Sequence, residues 1–236
     1  MQDLLSLLQW GPDGWADELA AGTFITITLS IATIPVGIAV GLFVSLGKQS
    51  TDPLVRASAQ IYTTIFRGIP ELLTLFIVYY GAQFSVSAVS QALFGRSIEI
   101  SPFLAGVVAL GLVLSGYSSE VFSSAFKGIP RGQYEAASAL GLRGGVAFRR
   151  VILPQLIRIA LPGLSNLWLN VMKDTALVSV ISLNDLLRET SVAVGTTKEP
   201  FFFYTVACLI YLTLSVISSI GIWRIDAWVS RGGAQR

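Results

Sequence analysis

Between residues 19 and 47 no side chain carries a charge. A chain crossing hydrocarbon must hydrogen-bond its own backbone, and about 20 apolar residues in a helix cover the roughly 30 Å core of a bilayer. The run therefore predicts a first membrane-spanning helix. It exceeds the roughly 7 to 15 residue apolar core of a signal peptide, and Asp3, Asp13, Asp17 and Glu18 precede it without any Lys or Arg, the reverse of a signal peptide's basic start. Uncharged runs over residues 72 to 95, 100 to 119 (continuing past Glu120 to Phe126) and 200 to 223 predict three more spans. Residues 151 to 183 are apolar but interrupted by Pro154, Arg158, Pro162, Lys173 and Asp174, which predicts a fifth, broken span. The expected fold class is an all-α membrane protein with about five transmembrane helices.

Hydrophobic residues make up 53% of the chain and charged residues 13%, with a mean hydropathy of +0.69, so five spans leave no room for a separate soluble domain in 236 residues. The bilayer is the expected environment. A net charge of +2, with basic residues scattered through loops, argues against nucleic acid as a partner. Cys208 is the sole cysteine and sits in an apolar run, which excludes an intrachain disulfide and a cysteine-based metal site and reads as a small buried hydrophobe.

Lys and Arg concentrate in cytoplasmic loops. An N-terminus outside the cell puts residues 47 to 70, 127 to 150 and 224 to 236 inside. These segments hold Lys48, Arg56, Arg67, Lys127, Arg131, Arg143, Arg149, Arg150, Arg224, Arg231 and Arg236, eleven of the 16 basic residues, with Arg158 near the inner end of span four. Arg96, Arg188 and Lys198 fall outside, and Lys173 within the membrane. The chain then divides into an external segment (1–19), a transmembrane domain (20–223) containing a cytoplasmic loop (127–154), and a cytoplasmic tail (224–236). Residues 52 to 66 mix Leu54, Val55, Ile61, Tyr62, Ile65 and Phe66 with polar partners ahead of Gly68 and Pro70, suiting either an interfacial helix or the start of a tilted span. Gly37 and Gly41 form a G-x-x-x-G pair that would let another helix approach closely.

The loop at 127 to 154 is far longer than a turn requires. Pro130 can open a helix at its first position, residues 135 to 140 (Glu-Ala-Ala-Ser-Ala-Leu) favour helix, and Gly141 can close it in the left-handed conformation. Such a helix has little to bury inside its own loop, so a groove on a partner explains it most economically.

At these residues the chain resembles the permease subunits of ABC importers. Glu135-Ala136-Ala137, three residues, Gly141, nine residues, then Val151-Ile152-Leu153-Pro154 matches their EAA loop, with Val151 where Ile is usual. The resemblance runs from about Ala20 to the C-terminus, and is strongest to permeases for polar amino acids, especially the histidine, arginine and opine branch. Further matches are Arg67-Gly68-Ile69-Pro70-Glu71, Tyr117 with Glu120, and residues 173 to 179; where many relatives carry Arg-Gly after the span-three glutamate, this chain has Ser123-Ser124. The resemblance implies the type I ABC importer permease fold in a bacterial inner membrane. It implies that the loop is a coupling helix seated in a cleft of an ABC ATPase, with Glu135, Ala136, Ala137, Gly141, Leu153 and Pro154 as the coupling residues. It also implies an external solute-binding protein, and a polar amino acid, a basic one or a derivative such as an opine, as cargo.

No G-x-x-x-x-G-K-[ST] sequence occurs, so the chain is expected to be no enzyme, with no cofactor of its own and ATP hydrolysed on a partner. Five spans give too few walls for a closed path, which suggests a second permease, identical or homologous. An ion channel or other ATP-independent transporter is the rival reading, but no filter-like repeat occurs and the loop goes unexplained. An intramembrane hydrolase lacks histidine altogether, and Asp174 has no second membrane aspartate.

An ionisable group inside a span costs at least about 2.5 to 3.5 kcal/mol on insertion scales and so faces a cavity or a partner. Glu120 could hold a substrate ammonium group or a neighbouring helix, and Tyr117 accompanies it. Glu71 lies near the inner boundary and reads as structural. Lys173 and Asp174 are adjacent, so on a regular helix they point about 100° apart and cannot both face one pore; a break there would free backbone groups to meet a substrate carboxylate, and an interhelical ion pair is the alternative. Asn166, Trp168 and Asn170 form a polar and aromatic stripe in the same span, of which Asn166 is the substrate candidate.

Overall fold

The computed structural model describes residues 4 to 231. A short 3-10 turn (Leu4–Leu8) precedes α1 (Ala16–Lys48), α2 (Pro53–Gly68), α3 (Glu71–Phe94) and α4 (Pro102–Lys127). Then come α5 (Arg131–Ala139), α6 (Gly144–Ala147), a π turn (Phe148–Ile152) and α7 (Leu153–Asp174), followed by a 3-10 segment (Thr175–Ile181), α8 (Leu186–Thr197) and α9 (Pro200–Arg231). No strand occurs among the described residues. Five segments are long and apolar enough to cross a membrane: Ala16–Lys48, Glu71–Phe94, Pro102–Lys127, Gly144–Ile181 and Pro200–Ala227. Asp3 of the N-terminal segment and residues 232 to 236 of the tail, Arg236 among them, lie outside the described residues.

The fourth span differs from the broken one expected. Pro162 sits inside α7 without ending it, and helical backbone runs from Gly144 to Ile181 by changing its winding, through a π turn and, after Asp174, a 3-10 segment. These local changes absorb what an unwound break would otherwise have to. Thr175, where the winding tightens, donates its hydroxyl to the Met172 carbonyl at 2.8 Å, so the backbone oxygen stays satisfied.

The centre of the molecule is the contact between α1 and α4, which run parallel: Gly37 meets Leu114, and Gly41 meets Ser118. A stripe of small residues on α1 (Gly22, Thr26, Ser30, Thr33, Gly37, Gly41, Ser45) recurs every three or four positions and is buried throughout. In lipid no hydrophobic drive holds helices together, so close backbone approach and interhelical hydrogen bonds must do so. Both are present: Ser118 Oγ donates to the Gly37 carbonyl at 2.9 Å, and Ser45 and Ser123 share a hydroxyl bond at 3.1 Å. The expected role of the Gly37–Gly41 pair is thus met within the chain, and Ser123 occupies α1.

α2 is a helix of its own. Asp52 caps it, accepting from the Leu54 N–H at 2.8 Å ahead of Pro53, and the chain turns at Ile69-Pro70 into α3. It leans on α4, with Tyr62 and Ser115 hydroxyls 2.6 Å apart and Thr63 and Ser119 hydroxyls 3.2 Å apart. At the other end of α1, Leu19, Leu186, Ala193 and Phe203 knit α1, α8 and α9 together. Large apolar side chains such as Phe84 on α3 and Phe201 on α9 point outward, as lipid-facing surface must. Cys208 belongs to this outer face: it is exposed, not buried as expected, because an apolar residue on a lipid-facing helix needs no protein around it.

Candidate functional site

Two cavities flank α4, one against its middle and one beside its end, where α1 also finishes. The first, about 220 Å³, is lined by Glu71, Tyr117, Asn170 and Asp174 against a leucine and valine wall from α4 and α7. Glu71 opens α3 directly after Pro70, and Asp174 is the last α-helical residue of α7 before its winding tightens. Tyr117, on α4, donates its hydroxyl to Glu71 Oε1 at 3.3 Å. The cavity therefore holds two carboxylates, one phenol and one amide, and no basic side chain lines it.

The second cavity is larger, about 580 Å³, and its charge is opposite. Lys48, Arg67 and Lys127 line it beside one carboxylate, Glu120, with Thr63, Thr64 and Gln60 of α2 as further polar wall. Lys48 Nζ donates to Glu120 Oε1 at 2.9 Å and to Ser119 Oγ at 3.2 Å, and Arg67 donates to the same Glu120 oxygen at 3.2 Å. These are the two ion pairs among the described residues, and Lys127 belongs to neither. Arg67 also stacks over the Tyr117 ring, its guanidinium carbon 5.6 Å from the centroid, within cation–π range. Arg67 and Tyr117 thus form the partition between the two cavities.

Of the candidate substrate residues, Tyr117 and Asp174 meet in the acidic cavity, and Glu120 lies in the basic one, held by Lys48 and Arg67. Asn166 and Lys173 are exposed and line neither. Lys173 and Asp174 do diverge, as adjacent helical residues must. In the sequence Glu71 reads as structural, and Asn166, not Asn170, is the substrate candidate of its stripe. The signal for Asn170 was its spacing, one helical turn before Asp174; Glu71 comes beside them only because α3 crosses α4 at Tyr117.

The loop after α4 forms the short helix expected, with Pro130 as its cap one position before the first helical residue. Gly141 adopts φ +70°, and the bonds Leu142 N–H to Ala137 carbonyl (3.1 Å) and Gly141 N–H to Ser138 carbonyl (2.9 Å) make a Schellman ending. Ala137 is buried, while Glu135 and Ala136 face outward beside exposed Tyr134 and Leu140, the latter 78% exposed. Gln155 of α7 donates to Gln133 at 3.2 Å and ties α5 to the base of the fourth span, where Leu153 opens α7 and Pro154 is exposed.

The family described as "Binding-protein-dependent transport system inner membrane component" matches residues 33–231. The nopaline transport system permease protein NocQ of Agrobacterium fabrum is 39% identical over 230 residues, 97% of this chain and 98% of the relative. The histidine/lysine/arginine/ornithine transport system permease protein HisQ of Escherichia coli is 36% identical over 224 residues, covering 90% and 98%. Among solved structures, a chain from a crystal structure of an amino acid ABC transporter with histidines is 30% identical, with a TM-score of 0.78 and coverage of 96% of this chain and 99% of that one. A chain of the inward-facing MetNI methionine ABC transporter, 18% identical with a TM-score of 0.70, shares the fold over 91% and 97%. With five membrane-length helices and a match of this extent, the chain belongs to the binding-protein-dependent inner membrane permeases of ABC importers, multi-pass membrane proteins that carry no catalytic site of their own.

Proposed function

We propose that this permease carries a cationic amino acid, or a derivative such as an opine, into the cytoplasm, and that the acidic cavity between α3, α4 and α7 holds the cationic part of the cargo. The carrying observation is the pair of carboxylates, Glu71 and Asp174, set with the Tyr117 hydroxyl and Asn170 in one small cavity lined by no basic group. Two carboxylates lining one cavity repel each other, and a guanidinium or ammonium group supplies both the opposite charge and the donors they lack. The relatives named for nopaline and for histidine, lysine, arginine and ornithine support this cargo class.

In this reading α5 is the coupling helix. Leu140, Tyr134 and Val146 on this loop are exposed for an ABC ATPase, which hydrolyses the ATP, and Glu135, Ala136, Ala137, Gly141, Leu153 and Pro154 shape that docking face. A second permease, identical or homologous, closes the path, and an external solute-binding protein delivers the cargo. The excess of Lys and Arg over residues 47 to 70 and 127 to 150 supports an external N-terminus and a cytoplasmic C-terminus.

Equilibrium binding of radiolabelled arginine to the purified, nucleotide-free complex tests the site. Asp174→Asn and Glu71→Gln keep size and hydrogen bonding but remove charge, and each is expected to weaken binding roughly tenfold or more, as loss of a charged hydrogen bond does. Unchanged affinity per folded complex in both variants would remove the acidic cavity from the path.

A further inference from the structure

We propose that the basic cavity formed by Lys48, Arg67 and Lys127 is a second cargo subsite, which takes a carboxylate while the acidic cavity next to it takes the cation. The inference rests on the acidic-cavity reading given above and extends it to both ends of the substrate. Three cations face a single carboxylate, Glu120, which engages Lys48 and Arg67 through one oxygen and leaves Lys127 without an ion-pair partner. A cavity of about 580 Å³ with that excess of donors is arranged for an oxyanion. The Gln60 amide supplies a further neutral donor along the same wall.

Two sources share this chemistry: a carboxylate of the cargo and the phosphate of an anionic lipid headgroup. The fold favours cargo for two reasons. First, Arg67 lines the basic cavity and stacks on Tyr117, which lines the acidic one, so one side chain separates the two and a single zwitterionic molecule can reach both. Second, α2 turns two different faces outward. Gln60, Thr64 and Arg67 share the cavity face, whereas exposed Leu54, Ile61 and Ile65 share a stripe roughly 110° round the helix, at about 100° per residue. An acyl chain would lie along the apolar stripe, away from the cavity.

The two subsites together select molecules that carry a guanidinium or ammonium group and at least one carboxylate, and a second carboxylate is accommodated by the three cations. Free amino acids with cationic side chains and amino-acid conjugates with extra carboxylates both meet that description. Amines lacking a carboxylate do not.

The experiment uses the complete complex in nanodiscs without nucleotide, with arginine, argininamide, histidine and octopine as probes. Wild type is expected to bind arginine at least roughly tenfold more tightly than argininamide, because the amide lacks the anion. Lys127→Gln is expected to raise the dissociation constant for arginine roughly tenfold and to leave argininamide within about twofold, while Lys127→Arg restores arginine binding. Lys127 is exposed at the end of α4, and thermal melting of the complex verifies that the variant is folded. Equal binding of arginine and argininamide, with Lys127→Gln neutral to both, would overturn the basic subsite; the acidic-cavity reading survives that result if Asp174→Asn still weakens both ligands. Failure of wild type to bind arginine, histidine or octopine at all would overturn the cargo reading of both cavities. Repeating the measurement in phosphatidylcholine nanodiscs with and without phosphatidylglycerol separates the two anion sources. The same Lys127→Gln defect in both supports the cargo carboxylate, and a defect seen only with phosphatidylglycerol assigns the cavity to lipid and overturns the proposal.

Discussion

Asp185 is fully buried, and its carboxylate caps α8 by accepting from the Arg188 N–H at 3.1 Å and the Leu187 N–H at 3.3 Å. Burial is the largest influence on it and outweighs those bonds, raising its pKa from 3.8 to about 6, with Glu189 nearby acting in the same direction. A carboxyl with a raised folded pKa binds its proton more tightly in the native state than in the unfolded one. Native stability from this group is therefore highest below about pH 4, falls as pH rises through about 6, and is flat above it. The size is on the order of 3 kcal/mol, from about two units at 1.36 kcal/mol each. Thermal melting of the complex is expected a few degrees higher at pH 5 than at pH 7.5. Asparagine caps a helix about as well as aspartate, so Asp185→Asn should keep α8 and abolish the difference. A difference that persists in the variant belongs to another group, Glu189 being the nearest candidate. In the sequence Asp185 looks like an ordinary helix cap in a loop; its burial arises because α1 presents Gly22 and Thr26 there, the Thr26 hydroxyl accepting from the Leu186 N–H at 3.2 Å.

Helices α1 and α5 each depend on a glycine, for different reasons. A Cβ at Gly41 would run into Ser118 Oγ and lie 2.9 Å from the Ser115 carbonyl, which is backbone and cannot move aside. At Gly141 nothing lies within 4 Å, and the only cost of a side chain is its left-handed φ of +70°. Gly41→Ala is therefore expected to destabilise the complex by about 1 to 3 kcal/mol through overpacking, and Gly41→Leu to prevent its assembly, whereas Gly141→Ala should cost about 1 kcal/mol, confined to the end of α5. Thermal melting in detergent ranks them, and equal effects at the two positions would contradict the tight α1–α4 contact. The glycine spacing was legible in the sequence, and so was the short helix after α4. Which helix met Gly37 and Gly41 was not, because a G-x-x-x-G pair marks a surface for close approach without naming the partner. The π turn at Phe148–Ile152 and the 3-10 segment after Asp174 were hidden for a related reason: prolines and charges marked the stretch as irregular without saying whether the helix breaks there or changes its winding.

Across the whole molecule, α1 and α4 run parallel, so Lys48 and Lys127 finish at one end and the loop carrying α5 hangs from that same end. Asp185 and α8 sit at the opposite end, against the start of α1. In the orientation proposed above, the Lys48 end is cytoplasmic. In a Cys208→Ala background, Ser50→Cys is expected to resist a membrane-impermeant thiol reagent in intact cells and Thr196→Cys to react; the opposite pattern would invert the orientation. Cys208 is exposed on the outer face of α9, so its replacement should cost little.

The sequence by itself determined the number of spans, the limits of four of them to within a few residues, the short helix after α4 and the family, since hydropathy, helix capping and motif spacing are properties of neighbouring residues. Only the tertiary structure decided which charges meet. Glu71, Tyr117 and Asp174 come from three helices, and Lys48, Arg67 and Glu120 from three as well. Those side chains are far apart along the chain and become neighbours through the crossing of α2, α3 and α7 over α4, which sequence periodicity does not encode. Glu120 shows the difference most plainly: in the sequence it was one carboxylate in an uncharged span, and in the fold it is the counter-ion of two cations, because α1 and α2 both end beside it.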